Sequence, residues 1–143
     1  MIEGPIKELG GVKYRKFTNS EKYKYELACP VKVHLPRFVG CAFRSKFFKM
    51  DNKGNLEVLP GYAWDGPSGP TIDRKENFLA GLVHDVLYQA LRDRSLHPDQ
   101  RNDSDKVLAE LCIKGGMLKP WAWAVYYPAV RIFGASSARQ NNV

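Results

Sequence analysis

Apolar and polar positions alternate through the early part of the chain. Tyr23-Lys24-Tyr25-Glu26-Leu27 and Val31-Lys32-Val33-His34-Leu35 place aromatic or aliphatic residues at every second position, the period of a strand with one buried face. Pro30 and Pro36 bracket the second run and suit strand ends or an edge, because proline donates nothing to a ladder. Asp51-Asn52-Lys53-Gly54-Asn55 is a turn cluster between Phe43–Met50 and Leu56–Leu59, so those runs should pair as a hairpin. The pattern predicts one small, twisted antiparallel sheet.

From Pro60 to Pro70 the pattern stops. Pro60-Gly61-Tyr62-Ala63-Trp64-Asp65-Gly66-Pro67-Ser68-Gly69-Pro70 is so dense in proline and glycine that no regular structure is expected there. Beyond it the period changes to three and four. Phe78, Leu79, Leu82, Val83, Val86, Leu87, Ala90 and Leu91 mark a helix over about 75–92. A second helix over about 103–114 turns Val107, Leu108, Leu111 and Cys112 inward and stops at Gly115-Gly116. A third starts near Lys119 and carries Trp121, Trp123, Val125, Tyr126 and Tyr127, with Pro128 as a kink. The aromatic segment Trp121–Tyr127 is read as core packed on the other helices, with a membrane-interface anchor as the other reading.

Strands first and helices after is an α+β order. The expectation is a single domain over 1–143: β-rich to 60, a Gly/Pro loop over 61–73, helices over 74–134 and a flexible tail over 135–143. A chain of 143 residues, 44% apolar, can bury enough surface to fold without a metal or a disulfide. The three cysteines, Cys29, Cys41 and Cys112, form no CxxC pair, so they are read as small buried side chains. Residues 1–16 lack the apolar core of a signal peptide, and no apolar run is long enough to span a bilayer. Synthesis in a reducing host cytoplasm is expected, with a later place in a virion open.

Net charge is +7, which favours anionic partners: nucleic acid, a phospholipid surface, or an acidic face of another protein. Many cations fall early, at Lys13, Arg15, Lys16, Lys22, Lys24, Lys32, Arg37, Arg44, Lys46, Lys49 and Lys53. They read either as a solvated strand face or as a binding patch.

Candidate chemistry collects on the first long helix. His84 and Tyr88 are i and i+4 and share a face, and Asp85 is turned about 100° from His84. A carboxylate beside loop carbonyls is the donor set that Ca²⁺ prefers. A neighbouring histidine could serve as general base if its other nitrogen had an orienting partner. Asp105 on the second helix is the candidate partner. The same residues also fit a core histidine bonded to Tyr88 or Asp105. His34 and His97 read as strand or surface residues.

Leu59–Pro70, Leu82–Tyr88 and Arg101–Asp105 together resemble an uncharacterised family of tailed phages and prophages, over roughly 21–134. The resemblance implies a phage origin, with no established activity. More distantly, His84-Asp85-x-x-Tyr88 after a Gly-rich loop is similar to secreted and parvoviral phospholipase A2. That likeness implies that His84 activates water, Asp105 orients it, and Asp85 and loop carbonyls hold Ca²⁺. By the family's spacing the carbonyl ligands fall on Trp64, Gly66 and Ser68. Asp65 has no counterpart there and reads as an added ligand or a turn cap. The disulfides of the secreted enzymes and any equivalent of the N-terminal sheet are missing from the match.

Three functions follow as expectations. One is a calcium-assisted lipid ester hydrolase using His84, Asp105 and Tyr88, with Asp85, Trp64, Asp65, Gly66 and Ser68 at the metal. Another is a non-enzymatic phage virion or assembly component binding DNA, another phage protein or the envelope through its basic sheet. The last is a different metal-assisted hydrolase acting on cell wall or nucleotides.

Overall fold

The computed structural model describes residues 4–17, 24–64, 74–135 and 138. Asp65, Gly66 and Ser68 lie outside them, as do residues 136–137 and 139–143 of the expected tail. The fold is α+β, with antiparallel strands before helices. Its contacts group into two units, Met1–Gly66 and Pro67–Val143.

In the first unit, Gly10 and Gly11 take φ of +58° and +83°. They close a two-residue hairpin between β1 (Lys7–Leu9) and β2 (Val12–Lys16), with Leu9 opposite Val12. Two consecutive left-handed residues match the twist of the strands, and glycine adopts them without strain. β2 pairs with β3 (Tyr25–Leu27), and β3 pairs with β8 (Ala63–Trp64). The inward face carries Val12, Tyr14, Tyr25, Leu27 and Trp64, all buried. Tyr25 packs edge-on against Tyr14 at 5.1 Å between centroids and lies 5.5 Å from the Trp64 ring system.

A second sheet orders β4 (Val31–His34), β7 (Asn55–Val58), β6 (Phe48–Met50) and β5 (Phe43–Arg44). The β6–β7 hairpin is held as its sequence suggests. The Asp51 carboxylate accepts the backbone N–H of Lys53 and of Asn55, each at 2.9 Å. Gly54 turns the chain at φ +82°, where a β-carbon would stand 2.4 Å from the Leu35 carbonyl oxygen. Phe48, Met50, Leu56 and Val58 are buried beneath it.

Two expectations need correction. The strands form two sheets of four rather than one, because Pro30 interrupts the chain between β3 and β4 and the second run starts its own ladder. The Gly/Pro segment is also not wholly irregular. Gly61, at φ +98°, swings the chain so that Ala63–Trp64 pairs with β3. Burial of Tyr62 and Trp64 anchors that turn.

The second unit is helical. α1 (Phe78–Arg92) starts three residues later than the periodicity suggests. The side chain of the fully buried Asn77 accepts the Arg74 N–H at 2.9 Å and donates to the Tyr126 hydroxyl at 2.9 Å. It thereby holds the preceding turn out of the helix. α2 (Arg101–Lys114) starts earlier than expected. Before it, His97 caps a 3₁₀ turn, Pro98–Gln100, which runs straight into the helix. Gly115 ends α2 against the Glu76 backbone, whose carbonyl oxygen would lie 2.5 Å from any β-carbon there.

The last helical run is α3 (Lys119–Trp121), a π-turn (Ala122–Tyr126) and α4 (Tyr127–Phe133). Pro128 lacks the N–H that would bond the Ala124 carbonyl, and the helix widens to a π-turn just before it. The buried positions Ala122, Tyr126 and Val130 recur every four residues. A regular α-helix would rotate such positions by about 40° per step, and the wider turn absorbs part of that drift. The aromatic segment is therefore only half core. Trp121 is 56% exposed, Val125 41% and Trp123 37%, since a single buried ridge cannot hold large side chains from every face. Among the described residues no helix is long and apolar enough to cross a membrane.

Candidate functional site

α1 and α2 pack against each other and bring one polar cluster together inside the helical unit. The His84 Nε2 lies 2.8 Å from Asp105 Oδ1. The Tyr88 hydroxyl donates to the same oxygen at 2.5 Å. Their i, i+4 spacing brings the two rings together, with centroids 4.1 Å apart and planes tilted by 41°. Asp105 is fully buried and His84 is 1% exposed. Of the residues expected at the site, His84, Asp105 and Tyr88 are in one cluster. Asp85 is half-buried on the adjoining flank of α1.

Two arginines complete the cluster. Arg131 Nη1 donates to Asp105 Oδ2 at 3.0 Å. Arg101 Nε donates to the Tyr88 hydroxyl at 3.2 Å and stands 3.9 Å from Asp105 Oδ2. Its Nη2 donates to the carbonyls of Val130 and Arg131, 2.8 Å each, capping the end of α4. The Tyr127 hydroxyl also donates to the Asn102 side chain, tying that run to α2. Arg101 stands four positions before Asp105, but the expected helix began at about 103, and only the earlier start of α2 puts the two on one helix face. Arg131, 26 positions along the chain, left no local signal.

The surroundings push the two acids of the cluster, Asp105 and Tyr88, in opposite directions. Burial works against an ionised Asp105, but hydrogen bonds from His84 and Tyr88, the nearby His84 charge and Arg131 outweigh it. The carboxyl is held below its ordinary range. Tyr88 is pushed the other way, by burial first and then by the Asp105 carboxylate it bonds. An ionised carboxylate only accepts, so His84 Nε2 must carry a proton toward Asp105. In the neutral imidazole the lone pair then sits on Nδ1. That tautomer is the one a general base on the far side of the ring requires.

The metal side of the expectation finds less on the described residues. Trp64 is fully buried in β8, and its carbonyl accepts the Lys24 N–H at 3.1 Å within the sheet. Among the described residues, no three His, Cys, Asp or Glu side chains gather closely enough to hold a metal.

The other residues singled out have structural places. His34 is exposed on β4 and bonds the Lys53 carbonyl at 3.0 Å. Cys112 is buried, its thiol pushed up to about 12 by desolvation, while Cys29 and Cys41 are half-buried. A cleft of about 640 Å³ lies on the second sheet, bordered by Lys32, His34, Arg44 and Lys49 with Asp51 and Glu57. It holds none of the expected site residues. Lys49 and Lys32 both reach Glu57 there, at 3.3 and 4.0 Å.

Family models, curated proteins and solved structures yield no match to this chain.

Proposed function

We infer that the chain is a lipid ester hydrolase of the phospholipase A2 type, with His84 as general base. The observation that carries this reading is the 2.8 Å contact of His84 Nε2 with a buried Asp105 that also accepts from Tyr88. Such a carboxylate fixes the ring and its tautomer, and it stabilises the imidazolium formed when Nδ1 takes a proton from water. The hydroxide equivalent then attacks the ester carbonyl, and the same proton returns to the departing alcohol. Asp85 would hold Ca²⁺ with main-chain oxygens, and the cation, when bound, would polarise the ester carbonyl. An anionic phospholipid surface is the corresponding partner, and a phage or prophage setting the corresponding source.

Fatty acid release from anionic vesicles with Ca²⁺, wild type beside His84→Gln, tests this. A positioned base contributes roughly 10²–10⁴-fold, so the variant should lose at least that hundredfold while staying folded. Equal rates in both chains, or no release by folded wild type, would overturn the assignment.

The 1% exposure of His84 favours a second reading. There the cluster is a buried polar pin that locks three helical segments, in a non-enzymatic virion or assembly component. Absence of release together with a large loss of stability in His84→Gln supports that reading.

A further inference from the structure

Eight large apolar side chains stand exposed among the described residues, and six of them lie on the last helical run and its leading residue. Leu118 is 77% exposed, Trp121 56%, Val125 41%, Ile132 70% and Phe133 66%. Trp121, Val125 and Ile132, spaced four and seven apart, share one flank of the run beside the buried row Ala122, Tyr126 and Val130. Soluble surfaces rarely concentrate apolar side chains in this way unless something covers them.

Charge points to the occupant. From Lys114 to Val143 the chain has no Asp or Glu, while Lys114, Lys119, Arg131 and Arg139 carry positive charge. Arg131 is paired with Asp105, so a second copy docked face to face on this ridge would set Lys119 against its own equivalent, with no acid in the segment to offset it. An acyl layer under anionic headgroups satisfies both features. The apolar ridge enters the layer, Lys119 at the start of the run meets the phosphates, and tryptophan favours headgroup depth. We propose that Trp121, Val125 and Ile132, with Leu118 and Phe133, form a membrane-docking ridge for an anionic lipid surface. The helical run lies in the plane of that surface and does not cross it. The inference rests on the lipid reading above and names the face that meets the lipid.

The test uses the full chain and vesicles of equal parts phosphatidylcholine and phosphatidylglycerol, with chelator present so that binding is read without turnover. Wild type should sediment with them, should bind pure phosphatidylcholine more weakly, and should release as salt screens the headgroups. Trp emission should shift to the blue and be quenched by brominated acyl chains, a readout that needs no variant. Val125→Glu and Ile132→Glu change exposed positions, and each should weaken binding by about tenfold or more. Failure of wild type to bind, an absence of quenching, or equal binding by folded variants overturns the ridge. So does a dimer that these variants dissolve in a chain that ignores vesicles. Binding without fatty acid release keeps the ridge and removes the hydrolase. Release that both variants retain in full does the reverse.

Discussion

Replacing Asp105 by asparagine perturbs the cluster with almost no change in shape. The carboxylate accepts three close hydrogen bonds, from His84 Nε2 at 2.8 Å, Tyr88 at 2.5 Å and Arg131 at 3.0 Å. An amide has one oxygen and one NH₂ group, so at least one of these donors would face another donor. If the oxygen keeps His84 and Tyr88, the NH₂ opposes Arg131. If it keeps Arg131, His84 must surrender its Nε2 proton and adopt the other tautomer. Breaking a buried ion pair from one side costs about 3–5 kcal/mol. The Arg131 side chain is 36% exposed and can turn toward water, which reduces the expected loss to about 3 kcal/mol. For a chain of this size that corresponds to a melting-temperature drop of roughly 6–12 °C.

Acid should expose the same charge. The Asp105 carboxyl is held below its ordinary range in the fold. Its contribution is therefore complete above the unfolded-state value of about 3.9 and fades as pH falls from there through the folded value. Thermal melts of wild type and Asp105→Asn, followed by far-ultraviolet circular dichroism from neutral pH downward, measure both effects. The wild-type advantage should be largest near neutrality and should shrink below about pH 4. A loss under about 1 kcal/mol at neutrality, or parallel acid limbs for the two chains, would refute the view of Asp105 as an ionised hub.

Tyr88→Phe removes a donor to Asp105 and an acceptor for Arg101, at an expected cost of about 1–3 kcal/mol in denaturant melts. Because the Tyr88 phenol is raised well above its ordinary value, stability should fall as pH rises past about 10, where the unfolded chain ionises first. The variant should lack that share of the alkaline loss. Gly134→Ala places a β-carbon 2.5 Å from the Tyr88 hydroxyl and 2.6 Å from the Val130 carbonyl. A cost of about 1–3 kcal/mol is expected in the same melts, and an unchanged midpoint would show that the end of α4 does not press on the cluster.

Much of this was readable in the order of the residues. Period-three-and-four spacing in Phe78–Leu91 gave α1, and spacing alone put His84 and Tyr88 on one side of it. The hairpin at Asp51–Asn55 was legible because an aspartate that caps its own turn is a local event. What escaped was decided at a distance. Arg131 meets Asp105 only after α4 has folded back. The division into two sheets depends on which ladder a strand joins after Pro30, which alternation cannot specify. Trp121 and Val125 read as core because apolar identity says nothing about which ridge of a helix is covered.

The two readings of the cluster differ less in geometry than in what reaches His84. A general base needs its ring held by a carboxylate, and a carboxylate buried this deeply needs cationic and hydroxyl partners to stay ionised. Arg101 and Arg131 satisfy that need from α2 and α4. The bonds that would orient a catalytic imidazole are therefore the same bonds that pin the last helical run. Stability and orientation cannot be separated by mutating Asp105, which serves both. His84 is the position where they part, since its Nδ1 lies outside the Asp105 contact. A substitution there that spares the fold while abolishing turnover assigns the cluster to chemistry; one that only melts the protein assigns it to architecture.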